Sequence, residues 1–183
     1  MLCRQCYGTA GFGTAAGTWA TATTGTATSG WSIDAAGTTA ISGNSVTTAT
    51  TDTINFGNGA TGLAAGTITV GTVSSGDIIF ASGSGAIILS GVTITNVAAQ
   101  VITVNNATNT ISSIMAGAAT SLTKAGAGIL ILTATNTYTG GTTVAAGTLS
   151  AGAAGVPPFG ARGLDLVKLF GAARFDRRRT LQA

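Results

Sequence analysis

Short runs of aliphatic and β-branched residues, bounded by Gly, Asn or Ser, recur about every ten residues from 46 to 149. This rhythm restricts the fold more than any other property of the chain. The runs centre on Ile54, Ile68, Ile78, Ile87, Ile94, Ile102, Ile111 and Ile131. Many of them alternate Thr with an aliphatic, the period-two mark of a strand with one inward face. Strands this short and this evenly spaced build a sandwich, a barrel or a solenoid. Three properties favour an all-β right-handed parallel β-helix. The repeat is approximate but persistent, as stacked coils require. The inward residues are aliphatic rather than aromatic, which suits a narrow core. Asn96, Asn105, Asn106, Asn109 and Asn136 flank the runs, where amide side chains can bond to the coils above and below. At about 20 residues per coil, residues 20–150 would form roughly six or seven coils.

Composition narrows the function. Charged residues are 7% of the chain, Glu and His are absent, and Gly reaches 28 residues. So little charge invites a membrane reading, yet no uninterrupted apolar stretch approaches the ~18 residues a spanning helix needs, so no transmembrane segment is expected. The net charge of +3 is unevenly spread: residues 1–155 hold Arg4 and Lys124 against Asp34, Asp52 and Asp77 (−1). Residues 156–183 hold Arg162, Lys168, Arg174, Arg177, Arg178 and Arg179 against Asp165 and Asp176 (+4). The main body therefore lacks the clustered cations that a nucleic-acid surface needs. Cys3 and Cys6 form a lone CxxC with no second pair and no His, so no metal and no cofactor is expected. No apolar core of a signal peptide follows Arg4.

The chain divides into an irregular segment (1–16), a β-solenoid (17–155) and a basic tail (156–183). Trp19 and Trp31 are expected to close the end of the core, because aromatics bury large areas. Pro157 and Pro158 break any sheet centre. Beyond them Leu166, Leu169, Phe170 and Ala173 form a helical stripe, with Lys168, Arg174 and Arg177 off that face. The spacing predicts an amphipathic helix of about 12–15 residues. The tail is then a cap over the last coil, a membrane-surface or nucleic-acid-binding tail, or non-native sequence from a truncated or frame-shifted reading.

The densest unit lies at 122–149. Ile129, Leu130, Ile131 and Leu132, preceded by Gly126 and Gly128, read as a strand buried on both faces or central in a sheet. Gly140 and Gly141 predict a turn with positive φ, after which Thr142, Thr143 and Val144 restart an extended segment. The unit reads as one coil. Leu130, Leu132, Val144 and Leu149 point inward, Asn136 and Tyr138 form the bend, and Gly126, Gly128, Gly140 and Gly147 set the corners. Lys124 reads as a solvated edge charge that discourages sideways pairing.

Together with Leu122, these residues resemble the autotransporter-associated β-strand repeat. That family shows Leu-x-Lys-x-Gly-x-Gly-x-Leu-x-Leu, then Asn-x-Tyr-x-Gly, Thr-x-Val and a closing Gly-x-Leu. Ile129 and Ile131 stand where Thr is usual, and Ala134 where Gly is usual. Residues 17–120 are more loosely similar to the segment that precedes such repeats. The resemblance implies a passenger region of a secreted or cell-surface protein of Gram-negative type, folded as a β-helix and exported through an outer-membrane barrel. No such barrel is present, so the chain is expected to be a fragment or a short relative.

No catalytic residue is expected. Asp34, Asp52 and Asp77 are scattered, and general acid–base chemistry through His is impossible. Gly11, Gly13 and Gly17 miss the dinucleotide pattern. The expected role is a non-catalytic stalk or adhesive scaffold, extracellular or at the cell surface, with a surface or matrix ligand and end-to-end self-association through uncapped edges. Two alternatives are a Thr-rich solenoid binding a flat surface such as ice, suggested by Thr67/Thr69, Thr93/Thr95 and Thr137/Thr139, and a fragment of a carbohydrate-active β-helix enzyme. Thr also suits exposed strand positions without any ligand.

Overall fold

The computed structural model describes residues 48–151 except 58, 60, 61, 97, 98 and 119, together with strand residues 2–4, 18–19, 31–32, 174–176 and 180–182. Outside 48–151, side chains are described only for Thr18 and Trp19. At the N-terminal end stand β1 (Leu2–Arg4), β2 (Thr18–Trp19) and β3 (Trp31–Ser32).

The chain then winds, and each turn lays a strand on the one before. The first face stacks β4 (Ile54–Phe56), β6 (Ile78–Phe80), β8 (Gln100–Val104), β11 (Leu122–Ala125) and β13 (Thr142–Val144). The second stacks the first halves of β5 (Gly66–Ser74) and β7 (Ile87–Thr95), then β9 (Thr108–Ile111), β12 (Ile129–Leu132) and β14 (Thr148–Ala151). The third face carries the second halves of β5 and β7, then β10 (Ile114–Ala116). All pairings among β4 to β14 are parallel. The fold is a parallel β-solenoid.

From β4 to β13 the chain makes about four turns. The six or seven coils expected for residues 20–150 include stretches, 20–30 and 33–47, that lie outside the described residues. Ile54, Ile78 and Ile102 are successive partners 24 residues apart, and only the last coil, Leu122 to Thr142, needs 20. The runs around Ile87 and Ile94 fuse into β7, which bends at Gly91, where a Cβ would fall on the carbonyl of Val70. The run from Thr110 to Ile114 is instead divided between β9 and β10 by a corner at Ser112 and Ser113.

Period-two alternation sends every second side chain of a strand inward, and these stack into ladders along the axis. Ile54, Ile78 and Ile102 form one, Phe56, Phe80 and Val104 another, and Ile68, Leu89, Ile111 and Leu132 a third; all are buried. The rings of Phe56 and Phe80 stack with centroids 5.1 Å apart. Trp19 lies edge-on to Phe56 at 6.2 Å and donates Nε1–H to Thr48 Oγ1 at 3.0 Å, so it closes the core at that end. The side chain of Trp31 lies outside the described residues. Ile102→Val is expected to cost about 1 kcal/mol in urea unfolding, the ordinary loss for one buried methyl.

The solenoid's ends are covered by strands. Leu2–Arg4, expected to be irregular, pairs parallel with β4 and antiparallel with β3. In the tail, β15 (Arg174–Asp176) and β16 (Thr180–Gln182) form an antiparallel pair, and β16 runs antiparallel on β14 with Leu149 opposite Leu181. The helical stripe at 166–173 lies outside the described residues, but Arg174, expected on the polar face of that helix, stands in β15.

Candidate functional site

The repeat at 122–149 makes more than one coil. After β11 and β12, Thr137 donates its N–H to Met115 O and Thr139 donates to Gly117 O, which places residues 135–139 on the third face. Thr142 then stacks on Leu122. Residues 122–141 are thus a full turn, and β13 and β14 begin the next.

Leu130, Leu132, Val144 and Leu149 are buried in the inward ladders, with Leu122 beside them. Ile129 is 38% exposed, so of the two settings expected for β12 the second holds: it is central in its sheet rather than buried on both faces. Alternation decides this: only every second residue of a strand faces the core. Asn136 Oδ1 accepts Met115 N–H from the preceding coil at 2.8 Å, and Tyr138 Oη lies 2.6 Å from Thr142 Oγ1. Burial pushes the Tyr138 phenol up to about 12, and its bond to Thr142 offsets part of the rise.

Lys124 overturns the expectation of a solvated edge charge. It occupies the inward ladder between Ile102 and Val144 and is 0% exposed. Its Nζ donates to the carbonyls of Ala125 (2.8 Å), Gly126 (2.7 Å) and Ala146 (3.1 Å). An ammonium has three donors, and all three are used. Desolvation lowers its pKa from 10.5 to about 8. The corner that follows turns carbonyl oxygens toward the interior, and a long cationic side chain is the group that can reach them. Lys124 lies two residues from inward Leu122, so strand parity alone was a usable signal of its burial.

The corner glycines work through close approach. A Cβ at Gly126, Gly128, Gly140 or Gly147 would fall on the carbonyl of Val104, Asn106, Thr120 or Gly128, respectively. Gly126 and Gly147 also have positive φ. Gly140 does not, contrary to expectation; it is needed because the backbone of Thr120 passes against it.

Asn109, expected at a flank, instead stands inside β9, in the ladder between Ile87 and Leu130. Its Oδ1 accepts Ile87 N–H at 3.0 Å and Asn106 Nδ2–H at 3.1 Å, and its Nδ2 donates to Asn106 Oδ1. Asn106 Nδ2 also donates to Gly85 O at 2.7 Å. Asn109→Leu is expected to cost about 2 kcal/mol by chemical denaturation, because it strands a buried N–H and a buried amide.

The two acids whose side chains are described serve the backbone. Asp52 Oδ2 accepts Ala49 N–H and Asp77 Oδ1 accepts Val101 N–H, each at 2.8 Å. Asp34, Cys6 and the side chain of Cys3 lie outside the described residues. Among the described residues no three His, Cys, Asp or Glu side chains gather as metal ligands, and no helix is long and apolar enough to cross a membrane. The Thr pairs divide between faces: Thr67 and Thr69 on the second, Thr93, Thr95, Thr137 and Thr139 on the third. On the third face Ile114 and Ala116 pair with Thr93 and Thr95 and so break the Thr row.

The family described as passenger-associated-transport-repeat matches residues 122–151. An adhesin autotransporter, BmaC of Brucella suis biovar 1 (strain 1330), is 44% identical over 101 residues, which cover 54% of this chain and 3% of that protein. The chain thus spans a small part of the length of the curated relative it matches. No solved structure matches the chain. Residues 122–151, which match the passenger-associated-transport-repeat, form one and a half coils of a parallel β-solenoid.

Proposed function

We propose that this chain is a segment of a surface-displayed autotransporter passenger and serves there as a stalk or adhesive scaffold. The observation that carries the reading is the coincidence of the transport repeat with the last coils of the solenoid. The similarity to a protein named as an adhesin autotransporter supports it. A solenoid suits the role because its stiffness comes from backbone ladders running along its axis. Five strand levels at the usual spacing span about 19 Å, and further coils would lengthen the rod without altering its section. The described acids are occupied with backbone amides, in keeping with a structural rather than catalytic segment.

Antibodies raised against residues 48–151 are expected to label intact cells of the source organism, and surface proteolysis is expected to remove the signal. Labelling that appears only after permeabilisation would overturn the surface assignment. Exchanging these coils for an unrelated solenoid of equal length separates the two roles. A stalk tolerates the exchange, whereas an adhesive scaffold loses attachment to its surface or matrix ligand.

A further inference from the structure

Lys124 touches two successive corners of the solenoid. Ala125 and Gly126 belong to its own coil, whereas Ala146 lies on the corner of the next, 22 residues later. Bonds also run the other way: Ala145 N–H and Ala146 N–H donate to Lys124 O at 2.8 and 3.4 Å. The position itself is an inward ladder site, with Ile102 on one side and Val144 on the other. An aliphatic residue would continue that ladder with no demand for a partner. An ammonium makes a different demand: three acceptors, of which its own coil supplies two.

We propose that Lys124 is a coil-to-coil latch, whose ammonium holds the corner at Ala125 and Gly126 closed only when the corner at Ala146 is in place, so that the two coils order and open together. Apolar packing is graded with area, so an aliphatic ladder lets each coil close against whatever part of its neighbour has formed. A buried charge short of an acceptor is not graded in that way, because the desolvated ammonium keeps its cost until the last bond forms. Stacked repeats ordinarily gain stability as a sum of nearest-neighbour contacts. Here a single charged group adds a condition to that sum at the end of the described solenoid.

The test is a double-mutant cycle in the full chain, read by amide hydrogen exchange at residues 125–128. Leu149→Ala loosens the last coil at β14, away from Lys124. With Lys124 present, it is expected to speed exchange at that corner by about ten- to a hundredfold, the reach of one charged hydrogen bond. In the Lys124→Met background the same change is expected to have no more than about a threefold effect. Equal acceleration in both backgrounds would show that Lys124 only fills space and would overturn the latch. If Lys124→Met does not fold, Lys124→Gln replaces it in the cycle. The ¹⁵N signal of the Lys124 ammonium gives an independent reading: it is expected to be slowly exchanging in the parent chain and lost in Leu149→Ala. Its persistence there would equally overturn the proposal.

Discussion

Gly126→Ala is expected to remove about 4 kcal/mol or more of stability, a large share of what a domain of this size holds. Two effects add. Gly126 has φ +76°, where an L side chain costs about 1–2 kcal/mol. Its new Cβ would also fall on the carbonyl oxygen of Val104, with Val104 C at 2.7 Å and Val104 N at 2.9 Å. Those atoms are backbone of the preceding coil and cannot rotate away. The corner itself has to move, and with it Gly126 O, one of the three acceptors of Lys124. Gly59→Ala isolates the first effect. Gly59 has φ +55° but nothing within 4 Å of where a Cβ would sit, so only the conformational cost of about 1 kcal/mol applies. Urea unfolding followed by circular dichroism measures both. Equal losses for the two variants would mean that coil contact contributes nothing at Gly126.

Stability is expected to peak near pH 10, through two buried groups of opposite sign. Lys124 is lowered by desolvation from 10.5 to about 8. Between those values the unfolded chain binds a proton that the folded chain does not, so stability rises with pH, by up to about 3 kcal/mol. Tyr138 is raised by desolvation from 10.0 to about 12, against a smaller opposing contribution from its bond to Thr142. Between those values the folded chain keeps a proton that the unfolded chain has lost, so stability falls again by a comparable amount. Denaturation midpoints from pH 7 to 12 trace the curve. Lys124→Met should flatten its rising limb and Tyr138→Phe its falling limb. A parent profile that is flat from pH 8 to 10 would mean that the three carbonyls compensate Lys124 for its lost hydration in full.

Much of the solenoid could be read along the chain, because strand parity is a local property. Thr alternating with aliphatics marked Ile68 and Val70 as inward, and both are buried, whereas no such alternation separates Leu130 and Leu132 from the exposed Ile129 in the all-aliphatic run 129–132. Glycine spacing marked the corners at Gly126, Gly128 and Gly147. The similarity of 122–149 to a passenger repeat rested on the same residues, and the match to 122–151 agrees with it.

The tertiary structure decided what depends on the neighbouring coil. Parity places Lys124 and Asn109 inward, but the partners that make burial of a charge or an amide tolerable come from residues about one turn away: Ala146 O for Lys124, Ile87 N–H for Asn109. Coil length varies from 24 to 20 residues along the first face, so no fixed offset in the sequence identifies those partners. Gly140 makes the same point, since its requirement is the passing backbone of Thr120 rather than its own φ. The sequence by itself determined which way each strand faces, because the pleat has a period of two. Which groups meet across the stack was left to the winding of the coils, because register in a solenoid is set by the lengths of its corners.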